Sequence, residues 1–143
     1  MAGADTWQTS YLEFEDRIEA FDDVDLLAVL SFMLHAMRAR PTRTDLIKGL
    51  GFAIDTHAPG VVQLPLEEHL EEQEARTQFA DALRDVLLQL QAMGEEVPLE
   101  LLRERCHIPG VRFARDYPAQ RLIDVVARLE SLPVGDQPPT EQP

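Results

Sequence analysis

The stretch from Val24 to Met37 constrains this chain more than any other. Leu26, Leu27, Val29, Leu30, Phe32, Met33, Leu34 and Met37 fall within it. At 3.6 residues per turn they leave almost no polar side, so a helix here is stable in water only if other segments cover most of its circumference. Asp22 or Asp23 offers an N-cap carboxylate, Arg38 and Arg40 place cations at the C-terminal end, and Pro41 stops the helix. The apolar run is too short to cross a bilayer, which takes about 18 apolar residues or more, and no other stretch reaches that length.

The flanking segments read as its covering partners. Tyr11, Phe14, Ile18 and Phe21 recur at spacings of three and four, which predicts a helix from about Thr9 to Ala20. Leu46, Ile47, Leu50 and Ile54 predict another over Asp45–Asp55, capped by Thr42 or Thr44. Gly49 and Gly51 weaken that helix by about 1 kcal/mol each relative to alanine, and a close helix crossing is the specific reason to carry them. Pro59-Gly60 marks a loop, with Val61-Val62 extended beside it. Leu66–Met93, framed by Pro65 and Gly94, gives the longest helical pattern, with a break expected near Glu74–Gln78. A short helix follows from Pro98 to Cys106, and another from Pro118 to Leu132. Val111–Arg115 alternates and reads as a short strand or an irregular loop. The expected fold class is all-α: a single-domain bundle of about five to six helices over residues 9–132, with room for one minor pair of short extended segments. Residues 1–8 read as a frayed start, Trp7 apart, and the Pro-rich residues 133–143 as a disordered tail.

Charge is the second constraint. The 26 acids outnumber the 13 bases, for a formal net charge of −13. Residues 1–40 hold eight acids against three bases, and residues 61–97 hold nine against two. Residues 98–132 reverse the balance, with six arginines against five acids. Such a chain is repelled by nucleic acid and anionic membrane and attracted to basic surfaces. Lys48 is the single lysine beside twelve arginines, a bias that fits a GC-rich, bacterial-like coding composition. Cys106 is the only cysteine, so no intrachain disulfide forms, and the acidic N-terminus lacks the basic region of a signal peptide. Together these point to the cytoplasm.

Motifs for chemistry are missing. The sequence carries no Gly-rich phosphate loop, nucleophile elbow, His-Glu-x-x-His or cysteine-pair zinc spacing. His69 with Glu72 or Gln73 shares a helix face but lacks the duplicated Glu-x-x-His of a di-iron bundle. Cys106 and His107 are adjacent, and neighbouring helical residues diverge by about 100°. No catalytic, cofactor-binding or metal-ligating residue is therefore assigned, and no cofactor is expected.

The function expected from these features is a non-enzymatic acidic interaction module: an adaptor, assembly factor or inhibitor that meets a basic protein partner. Its acidic faces would comprise Glu13, Asp16, Glu19, Asp22 and Asp23 near the N-terminus, with Glu67, Glu68, Glu71, Glu72 and Glu74 at the start of the long helix. Arg103, Arg105, Arg112, Arg115 and Arg121 would form a basic patch, either paired with these acids within the fold or docking an acidic protein surface, which another copy of this chain could supply in a homo-oligomer. One alternative is a nucleic-acid-associated regulator using that arginine cluster, which the net charge opposes. Another is a small-ligand binder or enzyme, which requires two of His35, His57, His69 and His107, or one of them with Cys106, to converge on a cavity.

Overall fold

The computed structural model describes residues 8–134. The apolar stretch forms helix α1 (Asp23–Arg38), and every residue from Asp23 to Met37 except His35 is buried. Asp22 is its N-cap, accepting the Asp25 N–H at 3.1 Å. Helices α2 (Thr44–Asp55), α4 (Gln73–Met93), α5 (Leu99–Arg105) and α6 (Ala119–Val134) all pack on it. One chain therefore covers this helix, and no second copy is needed to hide it. No helix among the described residues is long and apolar enough to cross a membrane.

The all-α expectation is overturned at the N-terminal segment. Residues expected to form the first helix build instead an antiparallel hairpin of β1 (Thr9–Phe14) and β2 (Arg17–Asp22), with Ser10 opposite Phe21, Leu12 opposite Glu19 and Phe14 opposite Arg17. A second, two-residue pair joins β3 (Glu96–Val97) to β4 (Tyr117–Pro118). The described chain is thus mixed α/β, mostly helical, with six helices and two small antiparallel sheets.

The physical reason lies in a segment that carries both periods. Ser10, Leu12 and Phe14 point inward, and Phe21 joins them from β2. Tyr11 is 64% exposed and Ile18 58% exposed on the outer face. Half of the supposed helical stripe therefore faces solvent. Residues 10–14 alternate between the two faces with the period of two that a strand imposes. The turn hides the hairpin from sequence reading, because Glu15-Asp16 carries neither glycine nor asparagine. Glu15 takes the left-handed conformation at φ 55°, and its N–H donates to the Glu67 carboxylate.

The other elements depart in smaller ways. The long helical pattern breaks after α3 (Leu66–His69), earlier than expected, because Leu70 is buried in the core. The Arg76 guanidinium donates to the carbonyls of Leu70 at 2.6 Å and Glu71 at 3.3 Å, which satisfies backbone groups freed by the break. Thr42 closes α1 rather than opening α2, its hydroxyl donating to the Met37 carbonyl at 2.9 Å. Val111–Arg115 is irregular. Helix α6 runs two residues past its expected end. Residues 1–7 of the expected frayed start and 135–143 of the expected tail lie outside the described residues, and Gln8 is held by its carbonyl, which accepts the Asp23 N–H at 3.0 Å.

The two glycines of α2 differ. A Cβ on Gly49 would stand 2.5–3.0 Å from the His69 ring atoms, so this glycine marks the close approach of α3. A Cβ on Gly51 would meet nothing within 4 Å. Gly51→Ala is therefore expected to stabilise the fold by about 0.5–1 kcal/mol through helix propensity alone. Gly49→Ala is expected to destabilise it, because the His69 ring must leave its place. Thermal unfolding of the pair checks this, and a rise in Tm for both variants would contradict the assigned crossing.

Candidate functional site

The acidic segments that lie far apart in sequence meet in space. Strand β1 runs beside the stretch 62–68, and a groove of about 770 Å³ opens between them. Tyr11, Leu12 and Glu13 line it from the strand. Consecutive strand residues point to opposite faces, so lining by three in a row places the strand's edge against the groove. That edge is open among the described residues, because β1 pairs only with β2. The opposite wall comes from Val62–Glu68, where Val62, Leu64 and Leu66 are buried and alternate with exposed Gln63, Pro65 and Glu67. Glu13, Glu67 and Glu68 are the charged residues of the lining, all acidic and all exposed.

Of the other sequence-predicted acids, Asp16 sits exposed in the hairpin turn, and Glu71 and Glu72 lie exposed at the α3–α4 junction. Four are engaged inside the fold. Glu19 approaches Arg128 at 3.8 Å, and Glu74 pairs with Arg43 at 3.4 Å. Asp22 caps α1, and burial raises its carboxyl above the ordinary range against the pull of the Asp25 N–H. Asp23 is only 1% exposed, so it presents nothing to a partner. Its oxygens accept the Ser10 hydroxyl from β1 and the Gly60 N–H at 2.7 Å.

Asp25, at 7% exposure, was not singled out by the sequence, yet it anchors the C-terminal segment. It accepts the Tyr117 hydroxyl and the Arg121 guanidinium, whose Nη2 lies 3.0 Å away. Burial and the neighbouring carboxylate both hold the Tyr117 phenol protonated, raising it well above its ordinary range. The signal was available only as a carboxylate inside an otherwise apolar helix, where a buried acid demands partners.

The arginine cluster is dispersed. Arg103 donates to the Phe113 carbonyl at 3.2–3.3 Å. Arg105 donates to Gln89 at 3.1 Å and lies 5.9 Å from the Phe32 ring centre. Arg121 serves Asp25 and Asp22. Arg112 and Arg115 are exposed, with no side-chain hydrogen bond or ion pair among the described residues. Two of the histidines, His35 and His107, converge on one cavity, whereas His57 lies against the Pro109 carbonyl at 2.6 Å and His69 against Gly49. Among the described residues, no group of three or more His, Cys, Asp or Glu side chains is placed to hold a metal ion.

Comparison with family models, curated proteins and solved structures returns no match.

Cys106 is buried, and desolvation pushes its thiol up to about 12 despite the neighbouring Ser31 hydroxyl and Arg105. In the native state it is expected to react with a thiol reagent at pH 7 on the order of 10³-fold more slowly than in urea, because the thiolate is the nucleophile. Equal rates would place the thiol outside the core. Tyr117→Phe removes a hydrogen bond to the Asp25 carboxylate and is expected to cost about 1.5–3 kcal/mol, read from chemical denaturation.

Proposed function

We propose that this protein is a non-enzymatic interaction module whose edge groove takes an extended, basic segment of a partner protein. The single observation that carries this reading is the convergence of Glu13 on β1 with Glu67 and Glu68 across a groove bordered by an open strand edge. An open edge offers unpaired backbone N–H and C=O groups to an incoming strand, and this mode of recognition takes its affinity from main-chain bonds. The three glutamates supply charge selection for Lys or Arg, and the exposed Tyr11 beside them supplies an apolar contact. The formal charge of −13 extends the same preference to longer range and raises the encounter rate at low salt.

Selection of a random peptide library on the folded domain tests this. Recovered sequences are expected to alternate basic with apolar residues. Their binding is expected to fall at least tenfold in the Glu13→Gln, Glu67→Gln, Glu68→Gln triple variant. A control triple, Glu71→Gln, Glu72→Gln, Glu95→Gln, removes the same charge outside the groove and is expected to bind within about twofold of the parent, since screened distant charges contribute little. Equal losses in the two triples would reduce the effect to net charge and remove the groove as the site.

A further inference from the structure

A second concavity lies away from the groove and has the opposite character. It is an open cavity of about 330 Å³ between the C-terminal halves of α1 and α2 and the chain leaving α5. Buried Ser31, Leu34 and Ile54 contribute to its lining. Its charged groups are Arg38 and Arg105 on one side of the balance and Asp55 and Glu104 on the other, with His35 and His107 between. Two guanidiniums and two carboxylates cancel, so the cavity holds both signs within a volume that fits a small molecule.

Three observations mark it as built for an occupant. The first is Arg105. Its guanidinium lines the cavity and is fixed there by the Gln89 bond at 3.1 Å and by the Phe32 ring. A guanidinium held at a cavity wall offers its remaining N–H groups to an occupant, and an oxyanion is the acceptor that matches it best. The second is Arg38, which has no ion pair or side-chain hydrogen bond among the described residues. The third is Gly51. It lines the cavity, is a poorer helix former than alanine, and has no close neighbour that would exclude a side chain. The space a side chain would take there is left to the cavity.

The opposite requirement comes from the acids. Asp55 is exposed at the end of α2, and the C-terminal ends of α1 and α2 carry partial negative charge, which favours a cationic group. We infer that this cavity binds a small zwitterion of amino-acid size, its oxyanion held by Arg105 and Arg38 and its amine by Asp55 and Glu104. The site stands independently of the peptide groove and shares no residue with it.

Titration with each of the common amino acids in turn, and with inorganic phosphate and ammonium as half-ligand controls, tests the assignment. The readouts are thermal stability and the ring signals of the four histidines by NMR. At least one amino acid is expected to raise Tm saturably and to shift His35 and His107, leaving His57 and His69 in place. Asp55→Asn, a surface change that leaves the core untouched, is expected to weaken that binding at least tenfold. Gly51→Leu is expected to abolish it by filling the cavity, and Arg105→Gln to weaken it by more than Asp55→Asn. No saturable response to any amino acid would overturn the inference. So would phosphate alone binding as tightly as the best amino acid, or an Asp55→Asn variant that binds unchanged.

Discussion

Helix α1 has almost no polar side, and water tolerates such a helix only inside a shell that covers nearly all of it. Four other helices provide the shell, and the helix offers them little beyond apolar contact to fix their places. Direction comes from its first turn. Asp23 and Asp25 are buried carboxylates, and a buried carboxylate is costly unless its lone pairs are occupied. Asp23 takes its partners from β1 and from the 57–61 loop. Asp25 takes its partners from Tyr117 and Arg121. Two acids two residues apart, about 200° round the helix from each other, therefore fasten the N-terminal hairpin, a mid-chain loop and the last helix to the same end of the core. Apolar burial holds α1 inside, and these carboxylates decide which parts of the chain sit at its head.

The apolar periodicity made the helical part of this arrangement legible. Helices α1, α2, α5 and α6 lie where the spacing of Leu, Ile, Val and Phe places them, because each buries one face or more against a common core. The hairpin escaped because residues 9–22 satisfy a helical stripe and a strand alternation together. The turn residues that normally break the tie are absent, and Glu15 adopts the left-handed conformation without being glycine. Local pattern cannot choose between the two periods in such a segment. The choice is made by Asp23, which takes the Ser10 hydroxyl, and by the inward packing of Leu12, Phe14 and Phe21. The break in the long helix was visible as excess length, but its position depended on the tertiary burial of Leu70.

The charge pattern was legible as a quantity and not as a map. The two acidic stretches stood out in sequence, yet nothing there told which acids reach solvent. Asp23, Asp22, Glu19 and Glu74 serve the fold, and Glu13, Glu67 and Glu68 meet across a groove, where Glu67 also accepts the Glu15 N–H of the hairpin turn. That meeting depends on the hairpin, since a helix over residues 9–20 offers no open strand edge. The arginines likewise divide between internal bonds and surface, and Arg105 joins two histidines at a cavity that sequence spacing alone does not assemble. Each functional reading of this protein thus rests on where the hub helix directs its neighbours.

The most direct test of that account is residue-resolved amide hydrogen exchange. The amides from Leu26 to Met37 are expected to be the slowest in the chain, opening only with global unfolding, and Asp23→Ala is expected to speed exchange in β1 and β2 before it does so in α4. Faster exchange in α1 than in the surrounding helices would contradict the account, as would a hairpin whose protection is indifferent to Asp23.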